Sequence, residues 1–353
     1  MEAYEYIFAA LVMMAVFTAA AYLAVTVLPL YRSVSEVDQL KIAAQKVVNN
    51  LLLNPGYPHD WGSDLSVKAG DLASFGLASY TTLTREAYVL DQDKVQRLSR
   101  EVPDPLYVPP SVALALLGLG LDYGIRLEFV PVLNVIVEPP QGPNVVVRVT
   151  SAQGLPIEDA NVTVVAVYAS GGGLSSSRHS GRTDVNGACA LNLGSPLPAL
   201  LITVVDHHSM RAVNVSVTGL GVHKSLLVGK SLVVSKSVDP GNGLDQKTAY
   251  QLFLSTGPEG SLQVNIVSSK LNVKDLDLGD YNVYDMDFEE PNLLAAVVVL
   301  DDDELLVAYR LVPKSYSSIA GEVHPPISYT LERSVRIGLS HYNLRLMIWR
   351  MSW

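Results

Sequence analysis

The residues of this chain that could support chemistry are seven histidines, one cysteine and a few carboxylate runs. His59, His179, His207, His208, His223, His324 and His341 make no H-E-x-x-H pair and no spacing that brings several ligands to one ion. Asp206-His207-His208 comes nearest. Neighbours on a strand point to opposite faces, so both imidazoles reach one ion only across a turn, and an exposed loop is the expected setting. Gly229-Lys230-Ser231 imitates the tail of a phosphate-binding loop, but Lys224 stands where the leading glycine belongs and no helix pattern follows. Asp301-Asp302-Asp303-Glu304 lies between two apolar runs and reads as a solvated hairpin turn. Asp275-Leu276-Asp277-Leu278-Gly279-Asp280 lacks the spaced oxygens and distal Glu of an EF-hand. No G-x-S-x-G nucleophile elbow occurs. Cys189 alternates with Leu191 and Leu193 on one face, which predicts a buried structural thiol. The expectation is a protein with no catalytic residue, no metal and no cofactor, hence not an enzyme.

Composition narrows the partners. A net charge of −10 without any Lys/Arg cluster argues against nucleic acid and against an anionic lipid surface. A single cysteine excludes an internal disulfide and a cysteine-based metal site. At 353 residues the chain has room for two domains beyond one long helix.

That helix is the element around which the rest is organised. No charged residue falls between Glu5 and Arg32, and the run from Ile7 to Leu28 is long enough to cross about 30 Å of hydrocarbon. From Ser33 the helix turns amphipathic: Val37, Leu40, Ala44, Val47 and Leu51 recur at 3/4 spacing, with Val48 and Leu52 widening the stripe. The stripe predicts a surface that packs on a domain, and it is too short for a sustained coiled coil. Asn54-Pro55-Gly56 ends the helix. The segment ahead of the apolar run carries no positive charge and the run continues past Ala19-Ala20-Ala21, so an uncleaved anchor is expected rather than a signal peptide. Arg32, Lys41 and Lys46 follow the span, which by the positive-inside rule alone would keep the large domain inside, but that rule is weak for long domains. Sequons at Asn161 and Asn214 permit glycosylation and with it an outside location.

Beyond the helix the chain reads as strands. A short helix with an Asp91 cap is expected over 91–101, strands over Val112–Leu117 and Tyr123–Phe129, and a continuation over Pro131–Val137. Three prolines and a glycine at 138–143 mark a boundary. From 143 to about 222, short strands separated by turn residues predict a β-sandwich, with a Gly/Ser loop over 170–177 and an Asn186-Gly187 hairpin. Residues 223–353 return to strands, among them 226–235, a hairpin of Leu293–Leu300 with Glu304–Val312, and a closing pair joined at Gly338-Leu339-Ser340-His341.

The order of these segments resembles that of archaeal type IV pilin-like membrane proteins. The apolar helix with an amphipathic half is followed by the exit Asn54-Pro55-Gly56-Tyr57-Pro58-His59-Asp60-Trp61, then by Phe75-Gly76-Leu77-Ala78 and Val89-Leu90-Asp91-Gln92-Asp93-Lys94-Val95. A last strand ends in Trp349 and Trp353. The resemblance covers the first 135 residues and the last 30. It implies apolar half-helices that bundle in a membrane or filament core, a small sheet on the amphipathic half, and a docking role for Glu5 if Met1 begins the mature helix. Residues 143–222, with Gly154-Leu155-Pro156-Ile157 and Thr183-Asp184-Val185-Asn186-Gly187, resemble bacterial-Ig-like and carboxypeptidase-regulatory-like sandwich modules. Such modules imply a spacer or binding unit.

The expected fold is therefore mainly β with one long N-terminal α-helix. It comprises a helix at 1–53, a pilin-like β domain at 54–138 and 223–353, and an Ig-like sandwich inserted at 139–222. The expected function is that of a structural or adhesive cell-surface protein. It would be single-pass with its large domain outside, and its partners would be the lipid bilayer and copies of itself or other pilin-like subunits through the helix. The alternative is an anchored ligand- or glycan-binding module acting through the sandwich loops, the Gly/Ser loop first among them.

Overall fold

A computed structural model describes residues 2–80, 88–139, 142–170, 173–194, 200–218, 221–256, 262–300, 304–318 and 327–351. The chain is mainly β, with one long N-terminal helix, as its patterning predicts. Helix α1 runs unbroken over Glu2–Leu53. A two-residue strand β1 (Val89–Leu90), helix α2 (Gln92–Gln96), helix α3 (Pro110–Leu116) and strand β2 (Tyr123–Pro131) follow. Val112–Leu117, read as a strand, is helical up to Leu116. A short apolar run suits either form, and Pro110 at the first helical turn, where its missing N–H costs nothing, decides for helix.

The next seven strands form two facing sheets. They are β3 (Leu133–Val137), β4 (Asn144–Ser151), β5 (Asn161–Ser170), β6 (Gly173–Arg182), β7 (Ala188–Asn192), β8 (Leu200–His207) and β9 (Met210–Val217). One sheet has the order β3-β4-β7, the other β6-β5-β8-β9. They share a core in which Val145, Val147, Val149, Cys189 and Leu191 meet Val162, Val164, Ala166, Leu201 and Val205. Three expectations change here. The sandwich begins at Leu133 rather than 139, because β3 pairs with β4 and leaves the sheet of β2. Residues 173–177 of the supposed Gly/Ser loop belong to β6 and pair with β5 along their length. The Asn186-Gly187 turn does not make a hairpin. Gly187 at φ 71 lets the chain step from β6 in one sheet to β7 in the other.

Strands β10 (Val222–Val228), β11 (Ser231–Ser235), β12 (Thr248–Thr256), β13 (Leu262–Lys274), β14 (Tyr281–Met286), β15 (Leu293–Val299) and β16 (Leu305–Tyr309) close into a barrel, sealed by the parallel pairing of β10 with β16. The run 226–235 is thus two strands with a turn at Gly229-Lys230. Only β17 (Ser315–Ser317), β18 (Ser328–Ile337) and β19 (Ser340–Arg350) return to the first unit, in the order β1-β18-β19-β2-β17. The expected second half of the first domain, 223–353, therefore splits: residues 222–309 are a barrel of their own. The Asp301–Asp303 turn, His324 and Trp353 lie outside the described residues.

Why the barrel and sandwich stay together is visible in their strands. Leu200, Ile202 and Val204 of β8 point away from the sandwich core and pack with Ala295, Val297, Leu305 and Val307 on the outside of the barrel. Both faces of β8 and β15 are buried, which is why each reads as a near-continuous apolar run instead of an alternation. A second contact, of Leu65, Val102 and Leu106 with Leu226, Val228 and Val283, fixes the barrel to the helix-bearing unit. The free edge of the second sheet is blocked as well: Arg211 N donates to His341 Nδ1 at 3.0 Å and Val213 N to Ser340 Oγ at 2.9 Å.

Thr203 faces the sandwich core, and among the described residues its hydroxyl is a buried side-chain group with no hydrogen-bond partner. Thr203→Val keeps the shape and removes the orphan, so it is expected to stabilise the protein by about 1 kcal/mol. A lower Tm for that variant than for the parent would mean that the hydroxyl has a partner in solution.

Candidate functional site

The part of the molecule with a surface unlike that of a soluble domain is α1. Tyr4–Leu23 forms a 20-residue window of mean hydropathy 2.1 with 0% of it buried, which is long and apolar enough to span a bilayer. Glu5 is exposed near its start. The second half is buried where the stripe predicts. Leu40, Ala44, Val47, Val48, Leu51 and Leu52 pack on the face of β18 and β19, in one cluster with Phe129, Val335, Leu344 and Leu346. Each large side chain so buried contributes about 1.5–3 kcal/mol relative to exposure. Val37 is the exception at 39% exposed, one turn before the sheet begins to cover the helix.

The helix exit is built from three segments far apart in sequence. Gly56 adopts φ +78, and its N–H donates to Asn54 Oδ1 at 3.0 Å. The Trp61 indole N–H reaches the carbonyls of Pro55 and Gly76, 3.2 and 3.3 Å away. Gly76 lies so close that a Cβ there would stand 2.0 Å from the Asn54 carbonyl oxygen. Asn54 O in turn accepts from Ala78 N at 3.2 Å. The third segment is α2, capped by Asp91, whose carboxylate accepts from Asp93 N and Lys94 N. Lys94 is fully buried: its ammonium donates to Pro55 O at 2.9 Å and Ala78 O at 3.1 Å, with Asp91 3.9 Å away. Burial pushes the Lys94 amine down, and burial followed by the neighbouring Asp93 pushes the Asp91 carboxyl up. Arg97 spans the same knot. It bonds the carbonyls of Leu106, Trp61 and Val67 and lies over the Trp61 ring at 5.7 Å, and burial lowers its pKa to about 10.

The far side of α2 grips the barrel. Gln96 donates to Leu227 O at 3.0 Å and accepts from Leu311 N at 2.6 Å. Arg310 bonds Asp93 at 2.8 Å, Gly229 O at 3.0 Å, Leu293 O at 3.1 Å, and Glu289. A helix of five residues thus ties α1, its sheet and the barrel together. Sequence reasoning marked Lys94 only as part of a motif and missed its burial, and it missed the roles of Gln96, Arg97 and Arg310. For Arg310 a signal existed, a lone cation in the apolar run Leu305–Val312.

Where α2, β9, β18–β19 and the barrel meet lies a groove of about 660 Å³. Asp93 and Glu289 on its wall are both engaged by Arg310. His207 and His208 sit at the β8–β9 turn with ring centroids 4.1 Å apart, His208 at φ 54, so the turn sets side by side two rings that a strand would separate. Among the described residues no three His, Cys, Asp or Glu side chains gather as a metal would require. Asn161 is exposed, whereas Asn214 is half-buried and donates through Nδ2 to Val135 O at 2.9 Å.

Cys189 is free and buried on the core face of β7, and burial raises its pKa. A raised pKa reduces the thiolate fraction, so at pH 8 the native protein is expected to leave a disulfide reagent almost unreacted and to titrate one thiol per chain in denaturant. Rapid labelling of native protein would contradict the packing of β7. No protein-family model matches the chain, and no curated protein matches it.

Proposed function

We propose that the chain is a single-pass, membrane-anchored, non-enzymatic structural or adhesive protein of the archaeal type IV pilin-like kind. Its β units stand outside the cell, with an Ig-like sandwich among them. The observation that carries this reading is the contrast along one helix: the apolar half is 0% buried while the half from Leu40 to Leu52 is sunk in a sheet. An apolar helix surface of that length is stable in a bilayer or in a bundle of like helices, and in the bundle Glu5 is the residue that docks one subunit on the next. The convergence of the Pro-Gly-x-Pro-x-x-Trp, Phe-Gly-Leu-Ala and Val-Leu-Asp-x-x-Lys-Val segments on one knot supports the resemblance, because a rigid exit keeps the domain at a fixed angle to its anchor.

Shearing intact cells and following the chain by immunoblot tests this. Recovery with sheared filaments assigns a subunit role. Retention in the membrane pellet, with external protease removing the β units, assigns an anchored surface module. A chain that external protease never reaches, or that stays soluble on lysis, rejects the outside placement or the anchor respectively. The anchored ligand- or glycan-binding alternative is favoured by one observation, the exposed hydroxyls of β6 at Ser175, Ser176 and Ser180. It predicts tolerance of helix swaps and intolerance of changes in β6.

A further inference from the structure

An aromatic cluster stands exposed beside the helix exit. Tyr57 is 59% exposed, Tyr80 45% and Tyr88 48%. His59 lies against two of them: its ring stacks on Tyr80 at 4.5 Å and 25°, and Tyr57 meets it edge-on at 5.7 Å and 88°. The backbones beneath are fixed. Tyr57 N donates to Ser74 O at 3.1 Å, and Ser79 N to Val89 O at 2.8 Å. The antiparallel bridge of Ala78 with Leu90 brings the segment that ends at Tyr80 alongside the one that begins at Tyr88. Tyr88 holds φ 64, a left-handed backbone that a bulky aromatic adopts at a cost.

Among the described residues, His59 and Asp60 offer acceptor atoms beside this cluster. His59 Nδ1 lies 2.9 Å from Gly56 O, and because a carbonyl only accepts, Nδ1 carries the proton and leaves Nε2 of the neutral ring as an acceptor. Asp60, exposed next in sequence, adds a carboxylate. Tyrosine presents an apolar body with a wet tip, and an exposed apolar patch rimmed by polar groups marks a binding surface. Ring faces beside acceptors suit a pyranose, whose C–H face lies on the aromatic ring while its rim hydroxyls donate outward. The bilayer does not fit. At 1.5 Å per residue the helix exit at Leu53 stands about 38 Å beyond the end of the apolar run at Leu28. An acidic sugar is disfavoured by Asp60 and by the net charge of −10. We propose that Tyr57, His59, Asp60, Tyr80 and Tyr88 form a platform for a neutral pyranose unit of a glycan or polysaccharide.

The anchored reading enters only through that distance. Sugar binding is measured without reference to where the chain sits in a cell, so either idea fails alone. The full chain in phosphatidylcholine nanodiscs is titrated calorimetrically with maltohexaose, cellohexaose, mannohexaose and N-acetylchitohexaose, and with a hyaluronan hexasaccharide as the acidic control. At least one neutral sugar is expected to bind with Kd below about 1 mM, weakened about tenfold or more by Tyr57→Ala and by Tyr80→Ala. Tyr80→Phe, which keeps the ring, retains most of the affinity, and all three variants keep a cooperative thermal transition because Tyr57 and Tyr80 are each about half exposed and lie outside the core. The proposal is overturned if no neutral sugar binds at about 10 mM. It is equally overturned if the alanine variants bind like the parent, or if only the acidic control binds.

Discussion

Replacing Arg310 with methionine lowers the stability of the full chain in detergent by about 3–5 kcal/mol, because one partner of a buried ion pair is removed and the other is left uncompensated. The side chains of Arg310 and Asp93 are only 8% and 11% exposed, and the guanidinium also satisfies the carbonyls of Gly229 and Leu293. Its carboxylate neighbours hold the guanidinium more firmly protonated than in water, against the opposing effect of burial. Without it, Asp93 faces Asp91 across the first turn of α2 with no countercharge from the barrel. Urea titration gives the size of the loss, and the double variant Arg310→Met with Asp93→Asn is expected to recover much of it, since neutralising both partners removes the stranded charge. If Arg310→Met alone stays within about 0.5 kcal/mol of the parent, the barrel is held by its apolar contacts and Arg310 is no latch.

Trp61→Ala is expected to cost a similar amount, about 3–5 kcal/mol, through the cavity left by the indole. It also removes the indole donor from the carbonyls of Gly76 and of Pro55, the latter keeping Lys94, and takes the ring from beneath Arg97. The damage should be local. Amide exchange is expected to quicken at Leu51 to Ala78, where the exit is built, while β12 to β16 keep their protection through an independent core. Gly76→Ala is expected to produce the same pattern without a cavity, because its Cβ would overlap the Asn54 carbonyl and force the exit apart. Uniform acceleration across the barrel would show that the three units unfold as one and that the exit is no separate cooperative unit.

These expectations separate what was legible in the chain from what was not. The two characters of α1, its stop at Asn54-Pro55-Gly56, the Asp91 cap, the core face of Cys189 and the closing β18–β19 hairpin follow from periodicity and capping over a few residues. Such signals are local, so the sequence carries them whatever the rest of the fold does. Val37 was misplaced by the same logic, since a stripe shows which face is apolar but not where its partner sheet begins.

What only the tertiary structure decided is which strands share a sheet and which charges are buried. Leu200–Val205 and Leu293–Val299 have apolar residues on both faces, and no pattern within them shows that the second face of each covers the other's unit. For that reason residues 222–309 close into a barrel instead of rejoining the first sheet. Lys94 looks like a surface cation in sequence, and Arg310 stands out only as a lone cation in an apolar run. They are interior because carbonyls and carboxylates distant in the chain surround them, and such partners are assembled only when the units pack.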